Sequence, residues 1–202
     1  LRGMAYMQLQ DYASAEKDLY AAIKQSRKSY TVYRTLYSAL EAQGKDDEAK
    51  QVLNDALQLS GSSSEDYYNR GMIYVDLQDY TNAADMLNKS YDKGYKAALL
   101  GLGEVSYTQQ DYDTALTYYG KYFDEVDISS VDASLAAKAY NQYAAVLLDK
   151  GEYEKAAQAC ESGLTYNDRE SDAALSFNLI VSYEYLQASE PLQYFAQTYV
   201  FD

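Results

Sequence analysis

Residues 67–90 read YYNRGMIYVDLQDYTNAADMLNKS. Tyr67, Gly71, Tyr74 and Leu77 fall at i, i+4, i+7 and i+10, which is one stripe of an α-helix. Tyr80, Ala83, Leu87 and Ser90 form a second stripe of the same kind. Between them Gln78-Asp79 reads as a turn. The Asp79 carboxylate stands where it can accept the free N–H groups that open the second helix. The stretch therefore predicts a helix, a tight turn and a second helix.

The same pattern recurs along the chain. A small-residue column runs Ala15, Ala49, Ala83, Ala115, Ala156 and then Leu192. A second column, twelve residues earlier, runs Gly3, Tyr37, Gly71, Gly103, Ala144 and Ile180. A third, three before the first, runs Tyr12, Asp46, Tyr80, Tyr112, Tyr153 and Ser189. The three keep register through six repeats, the signature of a stacked architecture. Asp11 and Asp111 repeat the cap of Asp79. Gly44 and Gly151 mark breaks between helices and Gly94 closes the third repeat. Pro191 falls in the first turn of the expected last helix. One long spacing, between Ala115 and Ala156, requires an insertion, placed at the acidic stretch Phe123 to Ser130.

Composition excludes several chemistries. The 202 residues include 48% hydrophobic residues, enough for a folded core, and a single proline, which favours long helices over turn-rich strands. Lys and Arg number 17 against 31 Asp and Glu, a net charge of −14. Such a surface repels phosphate backbones and anionic lipids, so nucleic acid is not an expected partner. There is no histidine and one cysteine. The usual general base, the Ser-His and Cys-His pairs, a zinc ligand set and an internal disulfide are all missing. No metal or other cofactor is expected. No apolar run reaches the ~20 residues that span a bilayer, so this segment is not expected to insert into a membrane. The chain opens inside a helix, so any targeting segment is expected upstream of Leu1.

These columns resemble the tetratricopeptide repeat family, whose helix–turn–helix unit of about 34 residues carries a large residue, a small residue and Tyr on its first helix, then Ala, a large apolar residue and Ala on its second. The third repeat matches with Tyr67, Gly71, Tyr74, Tyr80, Ala83 and Leu87. The first matches with Gly3, Tyr6, Tyr12, Ala15, Leu19 and Ala22, and the fourth with Gly103, Tyr112, Ala115 and Tyr119. Ser90, Tyr122, Gly163 and Tyr199 stand where the family has its final alanine. The resemblance implies an all-α, right-handed superhelical solenoid of about six helix-turn-helix units in one domain over 1–202. The units fall at 1–28, 29–62, 63–95, 96–131, 132–168 and 169–202, the first truncated. Small residues let the helix pairs nest while tyrosines and leucines fill the joints.

By the same resemblance the first helices line a concave groove. Projecting that face selects Arg34, Tyr68, Asn69, Met72, Tyr107, Lys138, Asn141, Gln142, Phe177, Asn178, Val181 and Tyr185. Amides can bond both groups of an extended peptide, and aromatics give contact area at low entropy cost. Glu41, Glu65, Asp76, Glu104, Asp149 and Glu184 share the face, opposed by Arg34 and Lys138, which points to a neutral or basic protein or peptide partner. The expected function is a non-catalytic interaction scaffold. The alternative is a structural or assembly factor of a bacterial envelope complex acting through its convex face and ends. The composition resembles exported or surface-anchored bacterial repeat proteins. Phe195, Tyr199, Val200 and Phe201 make the expected last helix apolar enough to self-associate. Cys160, in a large-apolar column, reads as a buried structural thiol. Asp124, Glu125 and Asp127 read as a solvated loop.

Overall fold

The computed structural model describes residues 2–25 and 29–186. Leu1, Ser189, Pro191, Leu192, Ala196 and the apolar positions Phe195, Tyr199, Val200 and Phe201 lie outside the described residues. The described residues form eleven α-helices and no strand. They run as pairs: α1 (Arg2–Gln8) with α2 (Tyr12–Lys24), α3 (Tyr30–Glu41) with α4 (Asp46–Ala56), α5 (Ser64–Asp76) with α6 (Tyr80–Asp92), α7 (Ala98–Thr108) with α8 (Tyr112–Glu125), and α9 (Ala133–Asp149) with α10 (Tyr153–Leu164). The last is α11 (Arg169–Tyr185). The contacts group into two compact units, Leu1–Ala98 and Leu99–Asp202, divided at the start of α7 in the fourth repeat.

Each pair turns in the same way. Gln10, Gly44, Gln78, Gln110 and Gly151 all hold φ between 57° and 79°. The N–H that follows each of them reaches back five residues to a helix carbonyl at 2.8–3.0 Å. This left-handed closure is the usual helix stop. Glycine takes it without steric cost, whereas glutamine does not. In the three Gln turns an aspartate follows, and Asp11, Asp79 and Asp111 accept the N–H of Ser14, Asn82 and Thr114 at 3.1, 3.2 and 3.1 Å. In the two glycine turns Lys45 and Glu152 occupy the cap with no side-chain cap bond. A cap contributes about 1 kcal/mol, similar to the strain on the glutamine, so the two turn designs come out level.

The core of the N-terminal unit gathers Ala15, Leu19, Leu36, Leu40, Ala49, Leu53 and Ile73, all buried. Each leucine so buried contributes roughly 1.5–3 kcal/mol, against about 0–1 for a surface ion pair such as Lys45–Glu16, so packing dominates. Ala83 and Ala115 are fully buried, as the nesting argument requires. The glycine column works by close approach. A Cβ on Gly71 would meet Leu87 at 2.6 Å, and one on Gly103 would meet the ring of Tyr119 at 2.6 Å. Ser90 is fully buried in place of the family's alanine; its hydroxyl donates to the Ser64 carbonyl at 2.8 Å and so carries no unsatisfied group.

In the C-terminal unit Ala137, Ala144, Leu147, Ala156, Cys160, Leu175 and Leu179 form the buried cluster. Helices α9, α10 and α11 pack on one another. The extra length between repeats begins after Glu125, later than the acidic stretch at Phe123 predicts. Phe123 is still in α8, where its ring stacks on Tyr140 at 4.7 Å and tilts against Tyr143 at 5.5 Å. The insertion is spent on a 3₁₀ turn at Ile128–Ser130, capped by Asp127, and on a 17-residue α9.

Candidate functional site

In the N-terminal unit α3 packs against both α1 and α5, and these three first helices present one face. A groove of about 560 Å³ opens there, lined by Met7, Thr31, Arg34, Tyr37, Asn69 and Asp76 among others. Arg34 in α3 bridges to α5: its Nε donates to Asp76 Oδ2 at 3.0 Å. The pair is partly exposed, so it is worth little in stability. What it does is fix two neighbouring first helices at the groove floor. Tyr37 donates its hydroxyl to Glu41; burial, then that bond, pushes the phenol above its ordinary range. Asn69 donates to the Glu65 carbonyl one turn earlier at 2.8 Å, which leaves its side-chain oxygen at the groove.

The C-terminal unit builds its face from α7, α9 and α11. Three side-chain bonds cross it. Tyr107 donates to Asp149 Oδ2 at 2.7 Å, Gln142 Nε2 donates to Glu104 Oε2 at 3.2 Å, and Asn178 Nδ2 donates to Asn141 Oδ1 at 3.0 Å. Burial and then the bond to Asp149 push the Tyr107 phenol up to about 12. A groove of about 400 Å³ lies between α9 and α11, lined by Leu148, Asp149, Tyr153, Phe177, Asn178, Val181 and Tyr185. Tyr185 lies flat on Tyr153, ring centroids 4.5 Å apart and 3° from parallel.

The residues selected from sequence thus separate. Arg34 and Asn69 meet in the first groove, and Phe177, Asn178, Val181 and Tyr185 in the second. Tyr107, Asn141 and Gln142 form the cross-helix bonds. Tyr68 packs its ring against Tyr95 at 5.0 Å, and Lys138 is exposed. Met72 is only 5% exposed and sits beneath the face, because at its helix position it turns toward the core beside Ile73. Tyr37 and Tyr153 belong to the repeat columns, where packing is the expected role, yet they also line grooves. One signal for the bridges is present in the register: Asp76 and Asp149 each stand five residues after the small column, at Gly71 and Ala144.

Cys160 is buried in the core, and burial pushes its thiol up to about 12, which leaves it unsuited to nucleophilic chemistry. Among the described residues no three Cys, Asp or Glu side chains converge as a metal site requires, and no helix is long and apolar enough to cross a membrane.

The chain is similar in sequence and in fold to known proteins. The BBSome complex member BBS4 of Bos taurus is 29% identical over 119 residues, 58% of this chain, while the match spans only 23% of that relative. Among solved structures the APC/C hetero-tetramer Cut9-Hcn1 aligns with 93% of this chain and 38% of its own at a TM-score of 0.64 and 18% identity. YrrB, described as a TPR protein with an unusual peptide-binding site, aligns over 85% of both chains at a TM-score of 0.50 and 22% identity. At these identities the structural likeness shows the fold. Tetratricopeptide repeat models match residues 1–64 and 68–127, and a further one matches 137–169. With most of its length matched, the chain belongs to the tetratricopeptide repeat family.

Proposed function

We propose that this chain is a non-catalytic scaffold that holds a segment of a partner protein along the face built by its first helices, with preference for a neutral or basic segment. The observation that carries the reading is the pair of grooves, one in each unit, opened on the same helix set and floored by side chains that bridge neighbouring first helices. Such bridges fix a recognition surface before a partner arrives, which lowers the ordering cost of binding. Amides and aromatics on that face suit an extended backbone. The peptide-binding site that YrrB's description records on the same fold supports the reading by analogy.

The test is to pan a random 12-residue phage-displayed peptide library on the immobilised chain and measure the enriched peptides against Asn69→Ala/Asn141→Ala. Loss of binding by about tenfold, with an unchanged helical circular-dichroism signal, is the expected result. Peptides that bind the double variant as tightly as the parent would sink the groove reading.

A further inference from the structure

We infer that the groove between α9 and α11 takes a segment presenting an arginine beside an apolar side chain; this rests on the reading of the first-helix face as the partner-binding face. Three independent observations converge on that chemistry.

The first is shape. Phe177, Val181 and Tyr185 form one stripe of α11, and Phe177 and Tyr185 are 65% and 63% exposed. Together with Leu148 they offer apolar area to a ligand side chain. Tyr153 covers one face of the Tyr185 ring, and the ring's exposure leaves the other to a ligand. A guanidinium stacks on such a ring, and more readily than an ammonium.

The second is hydrogen-bond capacity. Asp149, the one charged side chain among those lining the groove, is an acceptor only, and it is exposed. A carboxylate acceptor is matched by the guanidinium, which carries five donors and no acceptor.

The third is charge. Residues 1–98 carry 12 Lys and Arg against 14 Asp and Glu, a net −2, whereas residues 99–202 carry 5 against 17, a net −12. Of the five bases, Lys121, Lys150 and Lys155 are in ion pairs with Glu125, with Asp113 and Glu152, and with Glu152. Lys138, on this face, stands eleven residues from Asp149 along α9, about 16 Å at 1.5 Å per residue, and Arg169 opens α11 sixteen residues, about 24 Å, before Tyr185. The groove end that holds Asp149 and Tyr185 therefore draws cations.

Fluorescence anisotropy on the full chain tests this with three labelled decapeptides in a Gly/Ser background, each with a central leucine flanked by arginines, serines or glutamates. The arginine-flanked peptide should bind at least about tenfold tighter than the serine-flanked one, and more weakly in 300 than in 50 mM NaCl. Phe177→Ser and Tyr185→Ala should each weaken it by about tenfold, while Gln51→Ala on α4 leaves it unchanged. Both altered side chains are exposed, so circular dichroism should not move. Equal affinity for arginine and serine flanks, preference for glutamate, or no binding at all would overturn the inference. Binding lost in Asn69→Ala but retained in Phe177→Ser would overturn it too, while leaving the scaffold reading in place. Light scattering and limited proteolysis complete the test: a dimer dissolved by Phe177→Ser gives the groove to a second copy. Faster cleavage within residues 187–202 in that variant gives it to the chain's own terminal segment. Either result counts against the arginine peptide.

Discussion

Two kinds of residue decide whether a repeat closes. At the turn, Gly44 has φ +71° and a methyl placed on its Cα would have nothing within 4 Å, so Gly44→Ala changes backbone strain alone. It should cost about 1 kcal/mol in urea denaturation, while Gln78→Gly, at φ 60° in the matching turn, should gain a similar amount. Equal effects of opposite sign would show that the turn residue contributes through its dihedral. At the joint, Gly103→Ala pushes a methyl into the ring of Tyr119, which is buried and cannot swing away. Overpacking of about 1–3 kcal/mol outweighs the ~1 kcal/mol gained in helix propensity, so this variant should be less stable than the parent. The fifth repeat shows the accommodated version, with Ala144 and Cys160 at the equivalent positions in one buried cluster.

At the level of helices, ends and bridges carry the argument. Ser63 and Asp66 form a reciprocal cap on α5: Ser63 Oγ accepts from the Asp66 N–H at 3.1 Å and Asp66 Oδ2 accepts from the Ser63 N–H at 2.9 Å. Ser63→Ala should cost about 1 kcal/mol. The Ser63 side chain, more than any other group, holds the Asp66 carboxyl below its ordinary range. A depressed folded value means that its stabilisation is full above the unfolded value and is lost as pH falls through the folded one. The gap between parent and Asp66→Asn should therefore narrow below about pH 4 in acid denaturation. Between helices, the α7–α9 bridge is a protonated Tyr107 on Asp149. The difference in ultraviolet absorbance between parent and Tyr107→Phe should titrate near 12, not near 10. Helix positions, caps and the small-residue columns were legible in the sequence because they depend on spacings within one repeat. The bridges were legible only at Asp76 and Asp149, which hold a fixed place in the repeat; partners such as Asn141 and Asn178 belong to different repeats, and no spacing within one repeat links them. Met72 shows the same limit: face projection places a residue on a stripe edge, and only packing decides whether it turns inward.

For the whole molecule, charge is unevenly shared, and salt should reveal it. Raising NaCl from 20 to 300 mM shortens the Debye length from roughly 20 Å to about 6 Å, so repulsion between surface charges farther apart than that is screened. Amide exchange in α9 and α10, within the −12 unit, should slow with salt, whereas that in α3 and α4, within the −2 unit, should stay level or quicken slightly as pairs such as Lys45–Glu16 weaken. A uniform response would mean that net charge does not govern local opening. The chain's lone thiol follows from the same architecture with a practical result. Cys160 is enclosed by α9, α10 and α11 packing and held protonated, so alkylating reagents reach it only when that helix cluster parts. Its labelling rate is a built-in clock for opening of the C-terminal unit, and any cysteine introduced on the surface can be tagged with a dye while the native one stays silent.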